Sequence, residues 1–270
     1  MRGLHKFDQE TVYQHARKWV EEAGEVIRAG IDQPREIATK DDPNDLVTEM
    51  DRKVEEFFAE KIRNQYPDDL ILSEEGFGDE VNSLDGTVWI IDPIDGTMNF
   101  VHQKRQFAIS LAVFHDGVGE IGFVYDVIAG QLYHAKKGQG AYKNEERLLS
   151  LDKKKNLSES ILMINMLWCI PNEKVNHHKI ANLVKDVRGS RSYGSAALEF
   201  AYLAEGIADS YLSFRLHPWD IAAGVIIFRE VGGITVQADG SALSFLKQEP
   251  TVAAHPDLID ELLESYIELK

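Results

Sequence analysis

Apolar residues recur at helical spacing in two stretches near the start of the chain. Val12, Ala16, Trp19, Val20, Ala23, Val26 and Ile27 share one face of a 3.6-residue repeat, and Val54, Phe57, Phe58 and Ile62 do the same before Pro67. This spacing predicts two opening helices ahead of the first strand. Strand-like runs follow at residues 70–72, 88–91, 107–114, 119–125 and 131–135. His115-Asp116-Gly117 between the third and fourth runs reads as a hairpin turn, and Gly138-Gln139-Gly140 as a turn rather than a nucleotide loop. A Lys-rich polar interval at 152–156 marks a lobe boundary. Beyond it the pattern predicts helices at 174–185, 196–205, 221–231 and 258–269, with strands at 211–214 and 234–237. No repeat or low-complexity tract interrupts the series. The order predicts a layered α/β (α+β) fold, as one large domain or two close-packed lobes.

Carboxylates collect at the ends of these elements. Residues 88–91, Val-Trp-Ile-Ile, have the makeup of a buried strand, which places Asp92 at its carboxyl end, where α/β sheets commonly build ligand sites. Asp95 follows on the same turn. Pro93 restricts that turn, Gly96 admits close backbone approach, and Thr97 adds a hydroxyl and an N–H at the start of the next element. Asp-Pro-Ile-Asp-Gly alone also suits a surface turn. Three further acidic clusters at element ends argue for more. The strand at 70–72, expected to be short and buried, runs into Glu74-Glu75-Gly76. Thr48-Glu49-Met50-Asp51 has the form of a capped helix start, and Asp220 precedes an apolar helical run as an N-cap would. Carboxylate and carbonyl oxygens suit Mg²⁺ or Mn²⁺, whereas zinc sites draw on Cys and His, which these motifs lack. Clustered carboxylates resist joint ionisation, so such a pocket implies cations.

Together these motifs resemble the inositol monophosphatase family, within the superfamily of lithium-sensitive, magnesium-dependent phosphatases that includes the fructose-1,6-bisphosphatases. The resemblance rests on Lys40, the stretch from Asp45 to Asp51, Glu74-Glu75, Trp89 through Asp92-Pro93-Ile94-Asp95-Gly96-Thr97, Gly194-Ser195-Ala196-Ala197, and Trp219-Asp220 through Gly224. It covers nearly the whole chain. It implies a single domain of helix-sheet-helix-sheet-helix layers, with lobes of about residues 1–150 and 151–270, and a homodimer. It also implies that Glu74, Asp92, Asp95, Asp220 and the Ile94 carbonyl hold two or three Mg²⁺ per site. Thr97, backed by Asp51, would hold the attacking water, with Glu75 in support. Gly96 and Thr97 N–H groups would receive phosphate, Lys40 would sit on a loop closing over the site, and Gly194, Ser195 and Ala196 would line the substrate side.

The inositol-specific pattern of that family has an acidic residue seven positions before the Trp-Asp aspartate; here Ser213 stands there, with Arg215 nearby. The expected activity is a Mg²⁺-dependent phosphomonoesterase of the inositol-1-phosphatase kind on a small polyol, sugar or nucleotide. Alternatives on the same site are NADP, fructose-1,6-bisphosphate or 3′-phosphoadenosine 5′-phosphate phosphatases, and, from another class, a noncatalytic binding module.

Other chemistries fit less well. Asp92 and Asp95 are one residue too far apart for an aspartyl-phosphate pair, and Gly194-Ser195 lacks the flanking pattern and placed His of a nucleophile elbow. His177-His178 reads as a solvated pair, and Cys169 as a packed small side chain. The formal net charge of −16 argues against nucleic acid and anionic membrane as partners. One cysteine precludes an internal disulfide and suits a reducing cytoplasm; no apolar run reaches membrane-spanning length.

Overall fold

The computed structural model describes residues 7–33, 37–39, 46–151 and 154–270. Helix α1 (Gln9–Gly30) is followed by a small antiparallel hairpin of β1 (Ile37–Thr39) and β2 (Leu46–Thr48), then by α2 (Glu49–Gln65). The hairpin corrects the expectation that two helices precede any strand. Helix α2 starts where Thr48 accepts from the Met50 N–H and Asp51 accepts from the Thr48 N–H at 2.9 Å, a reciprocal cap.

Strands β3 (Leu70–Ser73), β4 (Thr87–Asp95), β5 (Ala108–His115), β6 (Val118–Asp126), β7 (Gln131–Lys136), β8 (Ala141–Lys143) and β9 (Glu146–Arg147) form one sheet in that spatial order, with a short helix α3 (Thr97–His102) after β4. Only the β3–β4 pair is parallel. Strand β3 lies at the sheet edge, so of its residues only Ile71 is buried; the expected buried strand is half solvated. Strand β4 runs on past Ile91 to Asp95, with a register shift between Asp92 and Asp95, so Asp92 lies within the strand rather than at its end.

The second sheet has the order β11-β10-β12-β14-β13, built from β10 (Ile161–Ile164), β11 (Gly189–Arg191), β12 (Ser210–Leu216), β13 (Ile234–Gln237) and β14 (Glu249–Ala254). Helices α4 (His177–Asp186), α5 (Ala196–Glu205) and α6 (Pro218–Glu230) alternate with them. The expected helix at 258–269 forms only as α7 (Ile259–Glu261) and one wider π-helical turn over Leu262–Tyr266. The chain then extends because Leu269 pairs with Val175 and the Glu268 carbonyl accepts from the Asn176 N–H at 2.8 Å. Tertiary pairing there overrides helical spacing.

Period-2 burial sorts the layers. Trp89, Ile91, Ile109 and Phe123 face a core shared with α1 and α2, whereas Val88, Ile90, Ala112 and Val124 face α5 and α6. In the second sheet, Met163, Tyr211 and Ala253 join that same α5/α6 core, and Leu162, Leu212, Phe214 and Val252 pack under α4 and the C-terminal turns. The result is five layers, α-β-α-β-α. Trp89 and Phe200 are fully buried, each worth roughly 1.5–3 kcal/mol or more in transfer terms.

Candidate active site

Five element ends converge: the start of α2, the irregular end of β4, the start of α3, and the first turns of α5 and α6. One carboxylate oxygen from each of Asp92, Asp95 and Asp220 lies within 4.8 Å of the others. Asp92 and Asp95 come together because the β4 irregularity lets two residues three apart point to one side. Its local clasp is the Ile94 N–H donating to Asp92 Oδ1 at 2.9 Å. Asp220 is not an N-cap. His217 occupies that position, Pro218 begins α6, and Asp220 in the first turn accepts from the His217 N–H at 2.8 Å. Pro suits a helix start, where its missing N–H costs nothing.

Asp95 is held by α5. The Ser195 hydroxyl and the Ala197 N–H (2.7 Å) both donate to Asp95 Oδ2. Ser195, the N-cap of α5, is therefore buried with its side chain committed to Asp95. Gly96 has φ of +93°, and a Cβ there would meet the Gly194 carbonyl at 3.0 Å and Ser195 Cβ at 3.1 Å. Only glycine fits both the backbone conformation and the close approach.

Asp51, on the first turn of α2, is buried, and Thr97 Oγ1 lies 3.3 Å from its Oδ1 and 3.1 Å from the Ile94 carbonyl. Glu74 and Glu75 sit half-buried on the turn after β3. Glu74 does not join the close trio, yet its charge acts on Asp92, Asp95 and Asp51. Lys40 lies outside the described residues. Gly194, Ser195, Ala196, Ser213 and Arg215 line one cavity of about 230 Å³ together with Asp95 and Asp220. The exposed Arg215 guanidinium sits 6.0 Å from the Trp168 ring centroid, and it forms no ion pair among the described residues.

The electrostatics fit a cation. Burial, followed by Glu74, Asp95 and Asp220, raises Asp92 well above the ordinary carboxyl range. Burial also raises Asp95 to about 7 against its two donors, with Glu74 adding to the rise. Asp51 reaches about 7 through burial, with Glu75 and Glu74 adding to it. Without a cation these carboxylates cannot all ionise cheaply near neutral pH. The donor set is all oxygen, which fits Mg²⁺ or Mn²⁺ and not a thiolate- or imidazole-seeking metal.

Several residues at the site escaped the sequence patterns. Asn99 is buried and donates to the Gln106 and Tyr193 carbonyls, both at 2.7 Å, tying α3 to the loop before α5. Glu199, also buried, accepts from the Tyr193 N–H at 2.7 Å and lines the cavity with Tyr211 and Trp168. Their sequence signals are a lone polar residue inside an apolar helical run, readable only once the fold shows what faces it.

A carboxylate trio beside a threonine hydroxyl at a helix start, inside five alternating layers, defines a metal-dependent phosphatase class. The pattern of the inositol monophosphatase family matches residues 8–269, and the chain belongs to that family. It is 48% identical over 252 residues to the inositol-1-monophosphatase of Bacillus subtilis (strain 168), covering 93% of this chain and 95% of that protein. It also superposes on staphylococcal IMPase-II bound to 2′AMP with a TM-score of 0.87 at 38% identity, covering 95% of this chain and 94% of the other. A third relative, an IMPase/NADP phosphatase complexed with Mg²⁺ and phosphate, superposes with a TM-score of 0.87 at 26% identity, each chain covered to 95%. The protein is accordingly a phosphoric monoester hydrolase.

Proposed function

We propose that this site hydrolyses phosphate monoesters of small polyols, sugars and nucleotides by direct attack of water, and that Asp92, Asp95, Asp220, Glu74 and the Ile94 carbonyl hold two or three Mg²⁺. The carrying observation is the convergence of three carboxylate oxygens within 4.8 Å of one another. Bound Mg²⁺ supplies charge neutralisation for the phosphoryl group and the departing oxygen, and acidifies the attacking water. The chain's residues supply orientation and proton transfer. Thr97 Oγ1 gives its own proton toward Asp51 Oδ1 or the Ile94 carbonyl. Its lone pairs therefore remain to accept from a water, and Asp51, buried behind Thr97 Oγ1, stands where a base would receive the proton. As the water oxygen bonds to phosphorus, its proton passes through Thr97 to Asp51, the ester P–O bond breaks, and the alkoxide takes a proton from solvent. Glu75 supports that water, and the Gly96 and Thr97 N–H groups face the phosphate.

Substrate breadth is the second element. Ser213 removes the acidic hydroxyl acceptor of the inositol-specific pattern, and Arg215 adds a cation on the cavity wall without an acidic partner among the described residues. This supports phosphorylated nucleotides or sugars with a second phosphate competing with inositol monophosphate. Gly194, Ser195 and Ala196 would contact substrate through backbone. The chain would act as one domain, because α5 and α6 share one core with both sheets. A homodimer is supported by exposed apolar side chains at Met166, Leu167 and Ile170, and is checked by light scattering. Cys169 as the single cysteine supports a cytoplasmic setting, and no helix among the described residues is long and apolar enough to cross a membrane.

The test is phosphate release from inositol monophosphate, 2′AMP and a sugar bisphosphate, with and without Mg²⁺, for wild type and Asp95→Asn. Loss of release on both metal removal and substitution is expected. Metal-independent release would refute the metal assignment, and an inactive wild type that still binds Mg²⁺ would favour a binding module.

A further inference from the structure

Helix α2 carries a second buried carboxylate for which the proposed chemistry has no use. Glu55 is fully buried, one helical turn beyond Asp51 on the same face. Its hydrogen-bond partners lie at the end of β3 and in the turn that follows it. Glu55 Oε1 accepts from Ser73 Oγ at 2.7 Å and from the Phe77 N–H at 2.8 Å, and Oε2 accepts from the Glu75 N–H at 2.6 Å. Among the described residues no cation pairs with it; the carboxylate accepts from three donors of one five-residue segment. That segment carries Glu74 and Glu75.

We propose that Glu55 is a positioning residue for the metal site, fixing the Glu74-Glu75 turn to the same helix that presents Asp51 to Thr97. This rests on the assignment of Glu74 and Glu75 above. The geometry gives the reason. Strand β3 is an edge strand with only Ile71 buried, so the sheet by itself holds the turn on one side only. Two residues four apart on a helix lie about 6 Å apart. Helix α2 thus acts as a rigid spacer between the water-holding Asp51 and the acidic turn. If the position served only to pack α2, an apolar side chain of similar volume would do so without the cost of desolvating a carboxylate.

The chemistry of the amide isostere makes this testable. In Glu55→Gln one acceptor oxygen becomes an NH₂ donor, and whichever way the amide turns, it faces either the Glu75 N–H or the Phe77 N–H donor to donor. Ser73 can rotate its hydroxyl to accept; a backbone N–H cannot. The fold keeps its volume while the turn loses one anchor.

Three readouts are needed on the full chain. In metal-free protein, amide hydrogen exchange at Glu75 or Phe77 should speed up at least about tenfold in Glu55→Gln while α2 keeps its protection. Mg²⁺ titrated alone by calorimetry should bind about 10–100-fold more weakly, the range for losing an outer support of a metal ligand. The Mg²⁺ half-saturation of phosphate release should rise by the same factor, with kcat at saturating Mg²⁺ within about threefold. Asp69→Ala is the control for stability alone. It removes the acceptor of the Trp89 indole N–H (2.8 Å) before the other end of β3 and should leave Mg²⁺ affinity unchanged. Should Glu55→Gln not fold, Ser73→Ala removes one of the three bonds and should weaken Mg²⁺ about threefold. Unchanged Mg²⁺ affinity in the folded variant, or equal weakening in Asp69→Ala, overturns the proposal. If the wild type proves not to be a phosphatase, exchange and calorimetry still decide the role of Glu55; a wild type that binds no Mg²⁺ overturns both readings.

Discussion

Gly96 is where backbone conformation, packing and chemistry meet, so Gly96→Ala gives the sharpest test of the site geometry. At φ of +93° an L-residue is strained, by roughly 1–2 kcal/mol. The added Cβ would also sit 3.0 Å from the Gly194 carbonyl and 3.1 Å from Ser195 Cβ, and neither is the far end of a flexible side chain. The clash has to be relieved by moving the start of α3 away from the loop before α5, which adds about 1–2 kcal/mol as overpacking. A total of about 2–4 kcal/mol corresponds to a fall in Tm of roughly 5–15 °C for a chain of this size. The same movement separates Thr97 from Asp95, which α5 holds through Ser195 and Ala197. A misplacement near 1 Å can cost about 100-fold in rate. The comparison is Gly86→Ala, where φ is +72° but nothing lies within 4 Å of the added Cβ. That variant should lose only about 1–2 kcal/mol and keep its kcat/KM. Calorimetric Tm and kcat/KM on one monophosphate, measured for both variants, decide the matter. If Gly96→Ala is no slower than Gly86→Ala, the close approach of the two helix starts does not set the chemistry.

Three further outcomes follow from the same geometry. Lithium carries half the charge of magnesium at similar size, so titration at fixed Mg²⁺ should inhibit phosphate release; an unchanged rate at high lithium would contradict a family-like site. Arg215→Ala should lower kcat/KM on a two-phosphate substrate about tenfold or more, from roughly 1.5–3 kcal/mol for a charged contact, and lower it less on a monophosphate; equal losses would remove Arg215 from substrate recognition. Asp51 and Asp95 have folded pKa values of about 7, above an unfolded value of about 4, so the fold favours their protonated forms. Metal-free protein should therefore lose this stabilisation as pH rises from about 4 to about 7, with no further loss from these groups above that, and saturating Mg²⁺ should flatten that profile in scanning calorimetry; a Tm difference between Mg²⁺-saturated and metal-free protein that shrinks as pH rises to about 7 would refute the sign.

The helices α1, α2, α5 and α6 and the strands β4 to β7 were legible in the chain because each buries a stripe or a face, and burial writes its period directly into the order of residues. The acidic clusters that hold Asp92, Asp95 and Asp220 were legible too, since carboxylates beside Pro and Gly form a local pattern, although Asp92 lies within β4 rather than at its end. Other features are not local. Residues 258–269 have helical spacing, yet the segment unwinds because Leu269 finds Val175, nearly a hundred positions away. Strand β14 was not foreseen, and its place between β12 and β13 depends on pairing across the second sheet. Asp220 was recognisable as a carboxylate at a helix start but not as a first-turn residue, because Pro218 moves the helix start back to His217. Glu55 looks in sequence like an ordinary polar position on an amphipathic helix, and Asn99 and Glu199 like lone polar residues in apolar runs. Their meaning comes only from which turn or loop the folded chain lays against them, since a buried polar group is defined by the partners that satisfy it and those partners are remote in sequence.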